Sequence, residues 1–155
     1  MNGSSRGLPV AIASDHGGFA LKRNLVEALR EQGFAPIDMG CYSTDAVDYP
    51  DMARELAGAI RAGRASVGVM IDAAGIGSTM ALNRIRGIRA ALCHDPFTTV
   101  NSRAHNNANV LVLGARVVHP GEARRLLRLW LATEFEGGRH ERRVAKIDAM
   151  GDLNL

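Results

Sequence analysis

An α/β fold is what this sequence predicts: a three-layer α/β/α sandwich around a five-stranded parallel sheet. Three observations lead there. Short apolar runs of strand length alternate with helix-patterned segments along the whole chain. Those runs lack the polar alternation of a half-exposed strand, as expected when helices cover both faces of a parallel sheet. No internal repeat, low-complexity tract or linker interrupts the 155 residues, a length that suits one domain with a proper core.

The elements follow in order. Pro9-Val10-Ala11-Ile12-Ala13 is the first strand, closed by Ser14-Asp15-His16-Gly17-Gly18. Leu21, Leu25 and Leu29 recur every four residues and mark one buried helix face, which Gly33 terminates. Ala35-Pro36-Ile37-Asp38-Met39 is the second strand, and its proline is best placed near an edge or a strand start. A loop through Tyr42, Asp48, Tyr49 and Pro50 leads to a helix carrying Met52, Leu56 and Ile60. Val67-Gly68-Val69-Met70-Ile71 is the third strand, with a helix over Thr79–Arg84 behind a small-residue loop. Ile88–Leu92 and Val110–Leu113 are the fourth and fifth strands, with a helix from Pro96 to Ala104 between them. Two helices finish the chain: Gly121–Thr133, apolar at Leu126, Leu127, Trp130 and Leu131, and a basic one after Gly137-Gly138. Residues 1–7 read as a flexible polar tail and 8–150 as a single domain.

Composition narrows the function. Hydrophobic residues make up 46% and charged residues 23%, a globular balance. The net charge of +3 comes without a basic run, and 5% aromatics offer little for base stacking, so nucleic acid is not the expected partner. No apolar stretch approaches a membrane span, and the start has no apolar signal segment. Two cysteines, Cys41 and Cys93, form no disulfide framework and suit a reducing, cytoplasmic setting.

In a doubly wound sheet the loops after the first, third and fourth strands share one edge. Asp15-His16, Asp72 and His94-Asp95 therefore fall on one side of the molecule, where such sheets bind ligands. Asp72 ends the third strand beside Ala73-Ala74-Gly75-Ile76-Gly77-Ser78. The N–H groups of that loop suit an anion or a developing oxyanion, whereas Asp72 could equally serve as a helix cap. Gly75-Ile76-Gly77 lacks the third glycine of a dinucleotide fingerprint, and no Walker lysine follows. Ser102–Asn109 collects one histidine and three asparagines, which points to a binding loop as well as to turns. Arg139 and Arg143, four residues apart, share one helix face and could hold phosphate, although a solvated basic helix fits the composition too. His16, His105 and His140 match no zinc spacing, so no metal is expected.

Several strings occur together and in order: Ser14-Asp15-His16-Gly17-Gly18-Phe19, Val47-Asp48-Tyr49-Pro50, Gly75-Ile76-Gly77, Gly87-Ile88-Arg89-Ala90-Ala91, Ser102–Asn109, Gly114-Ala115-Arg116 and Phe135-Glu136-Gly137-Gly138-Arg139-His140. In this the chain resembles the ribose-5-phosphate isomerase B and galactose-6-phosphate isomerase family from about Val10 to Ile147. The resemblance implies a Rossmann-like or flavodoxin-like sandwich and a cofactor-free, metal-free aldose–ketose isomerase of phosphorylated sugars. It also implies a homodimer or tetramer whose active sites are shared between subunits. Ring opening is followed by proton transfer between C2 and C1 through an enediolate. By position, His105 would assist ring opening and Asn106 would bind the sugar. Arg116, Arg139 and Arg143 would bind phosphate. Asp15, His16 and Tyr49 would line the pocket, and the loop from Ala73 to Ser78, Gly75, Ile76 and Gly77 included, would present N–H groups to the enediolate oxygen.

The sequence departs from the family at the centre. Asp72 stands where the family commonly has a cysteine base, and Ser78 stands where another branch has a glutamate. Asp72 and Ser78 are thus the candidate proton-transfer groups. An ordinary carboxylate is a weak base at neutral pH; burial strengthens it, while nearby cations and N–H donors weaken it. The alternative is a homologue of altered specificity, or one that binds sugar phosphate without turnover.

Overall fold

The computed structural model describes residues 7–151. The tail assigned from sequence falls almost wholly outside them. β1 (Pro9–Ser14), β2 (Ala35–Asp38), β3 (Val67–Asp72), β4 (Ala90–Leu92) and β5 (Val110–Gly114) form one parallel sheet in the order β2-β1-β3-β5-β4. Six helices connect or flank them: α1 (Phe19–Glu31), α2 (Tyr49–Arg61), α3 (Ile76–Leu82), α4 (Pro96–Ala104), α5 (Pro120–Ala132) and α6 (Arg139–Met150). β2 is an edge strand, so its Pro36 disturbs no central ladder.

Successive strand residues point to opposite faces, and the core divides accordingly. Val10, Ile12, Val69, Ile71, Leu111 and Leu113 meet Leu25, Leu29, Leu126, Leu127 and Trp130 on the α1/α5 face. Ala11, Ala13, Met70, Val110 and Val112 meet Leu56, Ala57 and Leu82 on the α2/α3 face. Full burial of each large side chain stabilises by roughly 1.5–3 kcal/mol. Alanines on the second face bring α2 close to the sheet, and a Cβ at Gly68 would lie 3.1 Å from Leu56 Cδ1.

Two elements differ from the sequence reading. α3 starts at Ile76, three residues earlier than its apolar pattern suggests, because Gly75 (φ 81°) turns the chain sharply into it. β4 starts at Ala90 rather than Ile88. The Ile88 N–H closes a turn onto Ile85, and the Arg89 N–H goes to the Asn109 side chain at 2.7 Å, so neither N–H is free for the ladder. Among the described residues no helix is long and apolar enough to cross a membrane.

Candidate active site

All five strands end at one edge, the carboxyl edge. It gathers Asp15, His16, Asp72, His94 and Asp95, as the topology predicted, and Arg116 with them. Asp72 is only 5% exposed, at the end of β3 opposite Gly114 of β5. Its Oδ1 accepts from the N–H groups of Ala74 (3.1 Å) and Gly75. Its Oδ2 accepts from the Ser78 N–H (3.1 Å) and the Ser78 hydroxyl (2.6 Å). Four donors fill the four lone-pair directions of a carboxylate. Gly114 makes room for this turn: a Cβ there would meet Ala74 O at 2.7 Å.

The surrounding groups are held as firmly. Asp15 Oδ1 accepts the Gly18 N–H at 3.0 Å, capping the short turn before α1. His16 Nδ1 accepts the Val47 N–H at 3.2 Å, which leaves Nε2 of the exposed ring to face a ligand. Tyr49 packs its ring over Gly77, where a Cβ would fall 2.5 Å from Tyr49 Cζ. The Arg116 N–H bonds Ala73 O at 2.9 Å, tying that arginine's backbone to the Asp72 loop while its side chain stays exposed. His94 Nε2 accepts the Gly114 N–H at 3.1 Å, and burial holds the imidazole below its ordinary range against an opposing pull from Asp95.

His105, Asn106, Arg139 and Arg143 lie elsewhere. α4 leaves β4 at the carboxyl edge and runs back, so His105, at its C-terminus, sits at the opposite, amino edge. The five residues of β5 alone separate the edges by roughly 16 Å. Glu136 N–H bonds Ala104 O at 3.0 Å and brings the start of α6, with Arg139 and Arg143, to the same edge. Within one chain, therefore, the proton-transfer candidates and Arg116 are apart from the ring-opening candidate His105 and from the phosphate candidates Arg139 and Arg143.

At the amino edge the His105 and His140 rings stack at 4.1 Å with 12° between planes. Glu136 Oε2 lies 3.5 Å from His105 Nε2 and 3.7 Å from His140 Nε2. These three groups bring possible metal-ligand atoms within 4.8 Å of one another. A zinc ion lies in the plane of each imidazole it binds, at about 2.0–2.1 Å. The in-plane lone pairs of two nearly parallel, stacked rings do not converge on one point. The arrangement is that of a stacked pair beside a carboxylate.

The model for ribose/galactose isomerases matches residues 10–147. The chain belongs to the ribose/galactose isomerase family. It is 40% identical to ribose-5-phosphate isomerase B of Escherichia coli, covering 91% of this chain and 95% of that one. It is 39% identical to D-erythrulose-4-phosphate isomerase of Pectobacterium atrosepticum, covering 90% and 93%. A solved ribose-5-phosphate isomerase B from Clostridium thermocellum superposes with a TM-score of 0.92 at 41% identity, covering 94% of this chain and 98% of that one.

Seen as a member of this family, the chain modifies one expectation. The 73–78 loop was expected to offer its N–H groups to an enediolate oxygen. Instead, those of Ala74, Gly75 and Ser78 point at Asp72; its carboxylate does not reach those of Ile76 and Gly77. An aspartate in this place occupies much of its own anion site. The polar string Ser102–Asn109 also divides. Ser102 accepts from Trp130 Nε1, Arg103 reaches Ala108 O and Thr133 O and lies over the Trp130 ring, and Asn109 ties Gly87 to Arg89. His105 and Asn106 keep exposed surface.

Sequence reasoning missed Lys22, which is fully buried and donates to Asp38 Oδ1 (2.7 Å) and Cys41 O. The signal was present: Lys22 takes a place on the buried stripe of α1 with Leu25 and Leu29. It pins the loop that leads from β2 towards Val47 and His16.

Proposed function

We propose that this chain interconverts an aldose phosphate and its ketose phosphate by ring opening and proton transfer through an enediolate, with Asp72 moving the proton. The observation that carries it is a buried carboxylate at the carboxyl edge, flanked by His16, Tyr49 and Arg116 in a chain of this family. To take a proton from carbon, Asp72 releases one of its four donors; the 3.1 Å bond from Ala74 is the longer of the two at Oδ1 and the least costly to give up. Ser78 then holds Oδ2 in place. His16 Nε2 faces the sugar, and Arg116, Arg139 and Arg143 hold its phosphate as forked donors. A match over nearly the whole chain supports turnover rather than binding alone.

A homodimer completes the site. His105, Asn106, Arg139 and Arg143 of one copy meet the Asp72 edge of the other. Exposed apolar side chains support such an interface: Ile76 and Met80 one turn apart on α3, Phe97 and Val100 on α4, and Val117 after β5. The substrate is a four- to six-carbon sugar phosphate, a range that includes the ribose 5-phosphate and D-erythrulose 4-phosphate named for two relatives. The test is turnover of a panel of such phosphates by the intact chain. Conversion of none of them would sink the reading, and an Asp72→Asn variant of full activity would remove Asp72 from the proton transfer.

A further inference from the structure

His105 is held by more than its own helix. The ring of His140, only 6% exposed, forms a fixed wall 4.1 Å from it and within 12° of parallel. Glu136 Oε2 lies 3.5 Å from Nε2. The Asn101 carboxamide lies 3.0 Å from Nδ1. One face and both nitrogens of this ring are therefore set by neighbours, while its side chain stays 39% exposed to a groove lined by Phe97, Val100 and Asn101. Neither Glu136 nor His140 has a part in the reaction as proposed above.

We propose that His140 and Glu136 are positioning residues for ring opening: His140 sets the plane of the His105 ring, and Glu136 sets a carboxylate beside its Nε2, the nitrogen that works on the sugar. This rests on the isomerase reading. In ring opening, charged His105 passes its Nε2 proton to the ring oxygen as the C1–O bond breaks. The neutral imidazole then takes the proton of the C1 hydroxyl as the carbonyl forms. Protons balance, and His105 ends as it began. The Glu136 carboxylate, 3.5 Å away, faces the nitrogen that carries this proton. Burial, with His105 and Arg139 adding to it, holds His140 below its ordinary range; Glu136 opposes this and Arg143 reinforces it. His140 accordingly favours its neutral form and serves as a wall, not as the acid. Nδ1 keeps its proton in both states, so the Asn101 carboxamide, 3.0 Å away, turns its oxygen to accept it.

Ring opening and carbon proton transfer can be read separately. Ribulose 5-phosphate is acyclic, because its O5 carries the phosphate, so deuterium entering C1 from solvent reports proton transfer alone. Ribose 5-phosphate is a cyclic hemiacetal, and its conversion needs ring opening as well. In the full chain, His140→Ala and Glu136→Gln should each lower conversion of ribose 5-phosphate about tenfold or more, a part of what a general acid supplies. Exchange into ribulose 5-phosphate should stay within about twofold of the parent. His140→Phe keeps a flat ring and should recover most of the conversion. Glu136 is 59% exposed, so its substitution tests the idea even where His140→Ala fails to fold. Equal loss of both reactions, undiminished conversion in the Glu136→Gln variant, or a His140→Phe variant as poor as His140→Ala would overturn the proposal. A parent chain that exchanges no deuterium would overturn the isomerase reading beneath it.

Discussion

The two edges of the sheet hold their polar groups in opposite ways. At the carboxyl edge Asp72 is buried and meets four donors within its own loop, and Gly114, Ala115 and Arg116 lock that loop to β5. At the amino edge His105, Glu136, Arg139 and Arg143 keep exposed surface, and the Glu136 contacts are long, at 3.5 and 3.7 Å. One edge is completed by the chain's own backbone. The other presents donors and charges outward, as a surface does when a ligand or a second copy is to meet it. A reacting carboxylate needs fixed geometry, whereas a clamp for a mobile phosphate tolerates adjustment.

The sharpest way to break this contrast is to disable the edges in different molecules. Asp72→Asn and His105→Ala should each lower activity by about 10²-fold or more. Mixed and allowed to exchange subunits, the two inactive proteins should recover about a quarter of the parent sites, because each mixed dimer regains one of its two. No recovery after verified exchange would place both residues in one subunit's site. Next in size are the phosphate groups. Arg139→Ala with Arg143→Ala should raise KM by about 10–100-fold, with an unchanged melting midpoint, since both side chains are exposed. A large fall in midpoint would show that the amino edge is structural after all.

Gly114→Ala tests the carboxyl edge from the other side. Its Cβ would press on the Ala74 carbonyl, a backbone atom, and should cost about 1–3 kcal/mol in denaturant unfolding. The smallest effect is on pH dependence. His94 is held below its ordinary range by burial, so the unfolded chain binds the proton more readily. Its contribution to stability is complete above the ordinary histidine range and is lost as pH falls through it, when protonation also breaks the bond from the Gly114 N–H. Cys93, pushed up by burial against lowering hydrogen bonds from Ser102, Thr98 and Thr99, acts in the opposite direction. Its contribution is complete below the ordinary thiol range and is lost as pH rises above it. His94→Gln should flatten the acid limb of a stability–pH curve and leave the alkaline limb alone.

The apolar runs were legible as strands, and the leucine spacing of α1 and the span of α4 were legible as helices, because burial imposes periods that local sequence records. Strand direction then sufficed to bring Asp15, Asp72 and His94 to one edge. The start of α3 was not legible, since a glycine turn and a carboxylate four residues before the helix set it, rather than its apolar pattern. Nor was the meeting of His105 with His140 across 35 positions, which depends on how the chain after α5 folds back onto the end of α4.

By itself, then, the sequence determined the fold class and the family, and it supplied the candidate residues for the chemistry. All three are written in patterning and in ordered local strings. Only the tertiary structure decided where those residues stand. It turned the loop donors onto Asp72, set His105 against His140 and Glu136, and put the two groups of candidate residues on opposite edges. Each of these depends on distances between segments remote in sequence, which no local pattern encodes.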